Sequence, residues 1–510
     1  MSRSKHFISG LLSSYAALGL NIFYTLASVP IALKYLTTDA FGVWILTATI
    51  GGYYVLIDLG MGPALARLLI DCKDLRSNGR YGSMIQMSFA VGAVQGIVVL
   101  AIGLFAAWKL PAWLGIPSEL SRDFSYLLAA QALLVSLGFP LRVFSQILYA
   151  WQRIDLTHYA HCASLLSSFS LLWIGFHYGW GLWSLLAANA LGWIISVGLN
   201  LFFCSFFKMI PKDSEWGKPT WKQFQEMFHY GLDVFLIAIG TQMVGSSQAV
   251  MIARTLGVEA AAVWSVSTRA FTLICQLVWR VWTSAMPALA EMSERGEFER
   301  LWRRYATLFK SSNALAIGAA ILFGTLNDRF VEIWSGGRIS WSAENNWLLG
   351  LWLIVLNQQG CHNNLIMAFK KIRLLKFVYF LEGAVFIFLS WNVLHKFSFG
   401  GMLISSIVCT AFFTLSYGTW RIGQISGLNW RTLLFGWQIR STIFGGLLLI
   451  SALAINPLLL MISGFPGLAV AGIIMALLAA FLLWFVGLPR ELVEEMKLKF
   501  VGKFRSCSGI

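Results

Sequence analysis

The chain has 510 residues, 58% of them hydrophobic and only 12% charged, and its formal net charge is +15. Soluble globular domains carry roughly 25% charged residues, so buried cores do not account for this composition. Nucleic-acid binding falls away as well, because no soluble basic segment exists to carry it; the basic residues sit in short polar connections, where they set topology and attract anionic lipid.

Apolar runs near 20 residues recur along the whole chain, each able to cross ~30 Å of hydrocarbon as a helix. In lipid the backbone must satisfy its own hydrogen bonds, which leaves helices or closed barrels. The runs are continuous rather than alternating, and this excludes a barrel. In chain order the expected spans are 7–33, 42–66, 84–108, 124–150, 156–177, 180–206, 229–253, 261–288, 306–327, 345–369, 374–394, 399–420, 441–461 and 467–488. The first is too long for a signal-peptide core and lacks a persuasive cleavage site, so it reads as a retained helix. Trp44, Trp108, Trp151, Trp180 and Trp264 stand near run ends, as in an interfacial aromatic belt. The longest inner connection, 207–228, interleaves Trp, Phe and Met with Lys and reads as an interfacial segment with a short helix; the tail 491–504 reads similarly.

Orientation follows from charge. With the N-terminus cytoplasmic, 27 of the 38 Lys and Arg fall on the inner side and 7 on the outer, the other four (Arg142, Arg269, Arg280 and Lys310) lying within spans. Both termini are therefore expected inside, in a multi-pass protein of the plasma membrane.

The chain also carries an internal repeat. Residues 39–44 (DAFGVW) resemble 259–264 (EAAAVW), and the PALA of 63–66 recurs at 287–290. The two offsets, 220 and 224, differ by about one helical turn. Both copies begin outside and run inward, so the repeat is parallel. The expected fold is an all-α polytopic membrane protein of about fourteen transmembrane helices: two parallel-repeat six-helix lobes plus two C-terminal helices. Its parts are a lobe over 1–206, a cytoplasmic interfacial linker over 207–228, a second lobe over 229–425, two helices over 438–488 and a basic tail over 489–510.

Candidate site residues are polar groups embedded in spans. On the eighth span Ser265, Arg269, Thr272, Gln276, Arg280 and Thr283 fall at about 0°, 40°, −20°, 20°, 60° and 0° around one helix, a stripe with ~27 Å of rise. Arginine suits phosphate oxygens, and amides and hydroxyls suit sugars. The alternative is that Arg280 snorkels to the headgroups and Arg269 pairs with an acid. Arg142 follows Pro140 in the fourth span and either lines a cavity or snorkels. Asp58 precedes Gly60, Gly62 and Pro63 at an expected break in the second span, where it pairs with an Arg of its lobe or handles substrate. Asp233 and Glu382 are lone acids that pair structurally or carry a proton. On the seventh span Thr241, Gln242, Ser246, Ser247 and Gln248 serve interhelical bonding or sugar contact. His158 and His161, one turn apart, lack a third ligand, and the seven scattered cysteines form no CxxC, so neither a metal nor a cofactor is called for. No long outer loop and no GxxxxGK[ST] motif is present, so neither an enzyme nor a nucleotide hydrolase is expected.

Three stretches carry a family resemblance. Residues 35–44 (YLTTDAFGVW) through Asp58, Leu59, Gly60 and Gly62 are similar to an opening "L…eFG.W.l…DlG". Residues 147–155 (ILYAWQRID) are similar to a loop "l.G.qr.d". Residues 250–259 (VMIARTLGVE) with 263–266 (VWSV) are similar to "…iG.fLG…vg.ysva". These patterns resemble the polysaccharide flippases of the multidrug/oligosaccharidyl-lipid/polysaccharide exporter superfamily, over roughly residues 1–425. The resemblance implies flipping of a polyprenyl-diphosphate-linked oligosaccharide from the cytoplasmic to the outer leaflet, alongside membrane lipids and other polysaccharide-assembly proteins as partners. Many members have an Asp eight residues before the Leu-Gly of the third pattern; here Gln248 stands there, so a role borrowed from that acid does not transfer. An ion-coupled multidrug exporter of the same superfamily would display embedded acids rather than arginines. A non-transporting scaffold for glycan assembly is the reading from another class.

Overall fold

The computed structural model describes residues 3–72, 79–369, 373–459 and 464–494, and among these there is helix and no strand. The side chains of Asp233 and Thr283, and the tail from residue 495 onward, lie outside the described residues. The chain forms two compact units, Met1–Val263 and Trp264–Ile510.

In the first unit α1 (Arg3–Tyr35) leads to α2 (Thr38–Tyr53), whose start is capped by Thr37: its Oγ1 accepts from the Ala40 N–H at 3.2 Å. A 3-10 turn over Tyr54–Asp58 follows, then Leu59 and Gly60 with φ of 51° and 70°, then α3 (Met61–Cys72). The second span is thus broken where the run of Asp and Gly falls. Glycine is required at the break. A Cβ on Gly60 would lie 2.4 Å from the Gly231 carbonyl oxygen, and one on Gly231 would lie 2.5 Å from that of Leu59, so two bare backbones meet there. Next come α4 (Arg80–Leu114), α5 (Ser118–Leu141), α6 (Val143–Ala150), α7 (Ile154–His177) and α8 (Trp183–Phe206). The fourth span is divided into α5 and α6 beside Pro140, which removes a backbone donor and crowds the preceding turn.

The 207–228 connection departs from expectation. Its last residues are not a separate interfacial helix but the first turns of α9 (Trp221–Gly245). Thr220 and Gln223 cap that start reciprocally, the Thr220 N–H donating to Gln223 Oε1 at 2.9 Å. With this strong start signal ahead of an uninterrupted helical sequence, nothing stops the helix between interface and span. The chain continues through α10 (Ser247–Leu256) into α11 (Val258–Ser267), within which the first unit ends. The core of this unit includes Tyr81, Met84, Ile147, Leu148, Cys204 and Met227.

The second unit comprises α12 (Arg269–Glu294), α13 (Phe298–Trp334), α14 (Ala343–Ala368), α15 (Leu375–Thr410), α16 (Ser416–Ser426), α17 (Ile439–Leu459) and α18 (Gly464–Leu482). Trp282, Tyr305, Phe309, Leu365, Leu375 and Ile422 form one core. A second lies where α17 and α18 pack on α13, through Ala314, Ile321, Phe444, Leu448, Ala471 and Met475.

Ten helices among the described residues are long and apolar enough to cross a membrane, eleven when one bent pair counts as a single span. This differs from the expected fourteen for identifiable reasons. Leu375–Ser426 registers as one element of 52 residues, although Ser398 leaves helical geometry inside it (φ 50°, ψ −142°) between the expected spans 374–394 and 399–420. The 26-residue α14 carries Asn357, Gln358, Gln359, His362, Asn363 and Asn364 and is too polar to count as an apolar helix. α17 runs over Ile439–Leu459, and its side chains are described only as far as Ile455.

Candidate functional site

The polar stripe lies mostly on α12, and its face is separate from the one α12 buries. Phe271, Cys275, Val278 and Trp282 are buried, Phe271 stacking on Trp352 at 5.3 Å and Trp282 lying edge-on to Tyr305 at 5.7 Å. Arg269, Thr272, Gln276 and Arg280 are centred roughly 140° away around the helix. Of these, Thr272 and Gln276 are exposed and the two arginines half-buried. The helix therefore fixes itself to its own unit by one side and presents guanidinium and amide groups from another. The Thr272 hydroxyl donates to the Thr268 carbonyl at 3.1 Å, so its proton is already engaged.

Ser265 does not share that helix. It belongs to α11, and the chain bends by 41° at Thr268 (φ −91°, ψ 2°) before α12 begins. The single straight helix assumed for the six-residue stripe is therefore corrected: Arg269, Thr272, Gln276 and Arg280 share one axis, and Ser265 stands on another. Neither Pro nor Gly occupies the bend, so the sequence gives no sign of it.

Asp58 and Arg142 are brought together in the first unit. Arg142 forms an ion pair with Asp58 and donates to Gln95 Oε1 at 2.8 Å. Gln95 Nε2 in turn donates to the Asp58 carbonyl at 3.1 Å, closing a ring. The Asp58 carboxylate also accepts the Gly62 N–H at 3.1 Å, where an acid satisfies the open donors of a helix start. The Arg142 guanidinium lies 4.6 Å from the Phe139 ring centroid. Both charges are engaged by their own unit.

The seventh-span polar groups are engaged largely with backbone. Gln242 Nε2 donates to the Gly52 carbonyl at 3.2 Å, Ser246 Oγ to Gln242 Oε1 at 2.9 Å and Thr241 Oγ1 to Ile237 O at 2.9 Å, while Ser247 donates to Met243 O. Gln248 is buried on α10.

The second unit contains a polar layer that sequence reasoning missed. Trp282 Nε1 donates to Ser312 Oγ at 2.8 Å, and Ser312 donates to Asn357 Oδ1 at 2.5 Å. Tyr305 and His362 Nδ1 share a hydrogen bond of 2.7 Å, and Phe309 stacks on the imidazole at 5.2 Å. Gln358 Nε2 donates to Asn313 Oδ1 and Gln438 Oε1, both at 3.1 Å. Tyr379 accepts from Gln359 at 2.5 Å and from Asn363 at 3.1 Å. One turn on, Glu382 is buried and accepts from Thr410 Oγ1 at 2.9 Å. The available signal was the run of amides on the tenth span, all within a few turns of one helix. No group of three or more metal-ligating side chains occurs among the described residues.

A family model described as "Polysaccharide biosynthesis protein" matches residues 34–342. No curated protein matches the chain in sequence. Among solved structures the chain is similar to a lipid II flippase, MurJ, in an inward closed conformation, at 12% identity and a TM-score of 0.66, with 94% of this chain and 99% of that one covered. It is similar to a multidrug resistance MATE family transporter of the MOP superfamily in its inward-facing conformation, at 13% identity and a TM-score of 0.63, with 80% and 95% covered. The outward-facing conformation of a MATE family transporter gives 13% identity and a TM-score of 0.54, with 83% and 97% covered. The chain thus has the fold of these membrane transporters.

Proposed function

Because the chain belongs to the polysaccharide biosynthesis protein family, we propose that it carries a polyprenyl-diphosphate-linked oligosaccharide from the cytoplasmic to the outer leaflet of the plasma membrane, by alternating access, for cell-surface polysaccharide. The carrying observation is the division of α12 into an apolar face packed on its own unit and a separate cationic, amide-bearing face. A charge at bilayer depth costs at least ~2.5–3.5 kcal/mol on insertion scales, so a face bearing two arginines belongs against water or a polar cargo rather than lipid tails. In this reading Arg269 and Arg280 meet the diphosphate, where a planar guanidinium forms paired hydrogen bonds to phosphate oxygens, and Gln276 meets sugar hydroxyls. The chain is read as fourteen crossings with both termini cytoplasmic: two related halves, 1–206 and 229–425, then helices over 438–488. Other polysaccharide-assembly proteins are its proposed partners.

The fold is shared with a multidrug transporter, so drug export is the second reading. The sign of the α12 face opposes it, since a cationic drug would meet two arginines. Purified protein in vesicles decides between them. A diphosphate-linked glycolipid loaded in one leaflet should become accessible in the other in a protein-dependent way. Movement of drug-like cations without movement of the glycolipid would overturn the proposal. Inactivity toward both, with glycan-assembly proteins still recruited in cells, would leave the scaffold.

A further inference from the structure

The first unit holds a cleft whose chemistry the transport reading does not use. It occupies about 360 Å³ and is lined by Ile85, Phe89 and Ala90 of α4, Phe144 of α6, Leu201 of α8 and Trp216 of the connection after α8. Gln86 of α4 is the one polar residue of its lining, the rest of which is apolar. The connection forms a fixed roof. Tyr81 donates its hydroxyl hydrogen to the Met209 carbonyl at 2.9 Å and accepts from Trp151 Nε1 at 3.1 Å. Gly82 lies so close beneath the roof that a Cβ there would be 2.6 Å from the Glu215 carbonyl oxygen.

Such a cleft suits hydrocarbon and not water, which needs two or more polar partners to be held. Its rim has the opposite character. Lys208 and Lys212 are exposed and flank Ile210 and Pro211, which themselves line the cleft; Asp213 and Glu215 follow, the latter accepting from the Lys212 N–H at 3.0 Å, and with exposed Lys218 the connection carries three lysines against two acids. An apolar slot beneath a cationic rim complements one kind of molecule, an amphiphile with an anionic head. We infer that the cleft seats one acyl chain of an anionic phospholipid, with its phosphate at Lys208 and Lys212. The chain fills space against α4, α6 and α8, and the headgroup joins the roof to the bilayer surface on the basic side. The inference is independent of what the protein transports.

Vesicles of equal phosphatidylglycerol and phosphatidylethanolamine supply the test. Protein extracted from them in mild detergent is analysed by native mass spectrometry for retained lipid. The wild type should keep about one phospholipid, mostly phosphatidylglycerol. Ala90→Trp fills the slot from an exposed helix position and should lose that lipid at unchanged protein yield. A protein carrying both Lys208→Gln and Lys212→Gln keeps the slot, and its preference for phosphatidylglycerol should fall about fivefold or more with the loss of two basic groups. Retention by Ala90→Trp equal to wild type in amount and headgroup preference would overturn the site. Equal retention of both lipids by the wild type would overturn the anionic assignment.

Discussion

The guanidinium of Arg142 rests on the carboxylate of Asp58, and the nitrogen that makes this ion pair also donates to Gln95 at 2.8 Å. The contact joins the breaks in two different spans, one at Leu59 and Gly60 and the other beside Pro140. Helix breaks leave backbone groups open, and here one acid satisfies a helix start while holding the cation that sits at the second break. Removing one member leaves the other without its counterion in a largely buried place. The side chains retain 12% and 27% exposure, so the loss should be about 2–4 kcal/mol, somewhat under that of a fully buried pair. Asp58→Ala and Arg142→Ala should each lower the melting temperature of extracted protein, and the double variant should be little worse than either. Additive losses in that cycle would show that the pair is not coupled.

Arg269→Ala should abolish transport at near-normal protein yield, because the residue is half-buried on the polar face of α12, away from the Phe271, Cys275, Val278 and Trp282 side that packs it. Arg269→Lys should restore part of the activity, since a point charge lacks the planar fork. Arg269→Glu should be inactive through repulsion of the diphosphate. The checks are a vesicle transport assay and detergent-extracted yield on the same preparations. Full transport by a well-expressed Arg269→Ala protein would remove Arg269 from the path, and a collapse in yield would assign it a structural task instead.

The irregular geometry at Ser398 divides a 52-residue helical stretch, and two crossings within it imply that its middle reaches the opposite side of the membrane. Reporter fusions after Arg373 and after Lys396 should report the cytoplasm and the outside, respectively. A shared location would eliminate the fourteen-crossing topology.

Tyr305→Phe deletes a hydroxyl bonded to a fully buried imidazole while keeping the ring that packs against Trp282 and Trp437. Leaving His362 Nδ1 without that partner should destabilise the protein by about 1–3 kcal/mol. The measurement is again thermal unfolding of extracted protein. An unchanged melting temperature would mean that another group takes the place of the Tyr305 hydroxyl.

The all-helical membrane fold was legible because lipid imposes one requirement over long stretches: continuous apolar sequence that closes its own hydrogen bonds. The break in the second span was legible too, since Asp58, Gly60 and Gly62 are local signals. The bend at Thr268 was not, because neither Pro nor Gly stands there to signal it. The polar layer around Asn357 and His362 escaped for a different reason. Periodicity says which residues share a face, but in a bundle an amide facing a partner amide and one facing water carry the same letter. Only the neighbouring helices distinguish them.

The roof over the lipid cleft also bears on how this chain can be handled as a material. Residues 207–217 belong to the longest polar connection between spans, where a fluorescent protein or a protease site would ordinarily be inserted. In the fold they are a wall, held by the Tyr81 hydroxyl and by glycine backbones laid against one another. An insertion at Lys212 would pry that wall from α4 and reshape the surface behind it. The turn at Gly296, exposed and with φ of 73°, has open space around it and offers a cut or a graft without that consequence.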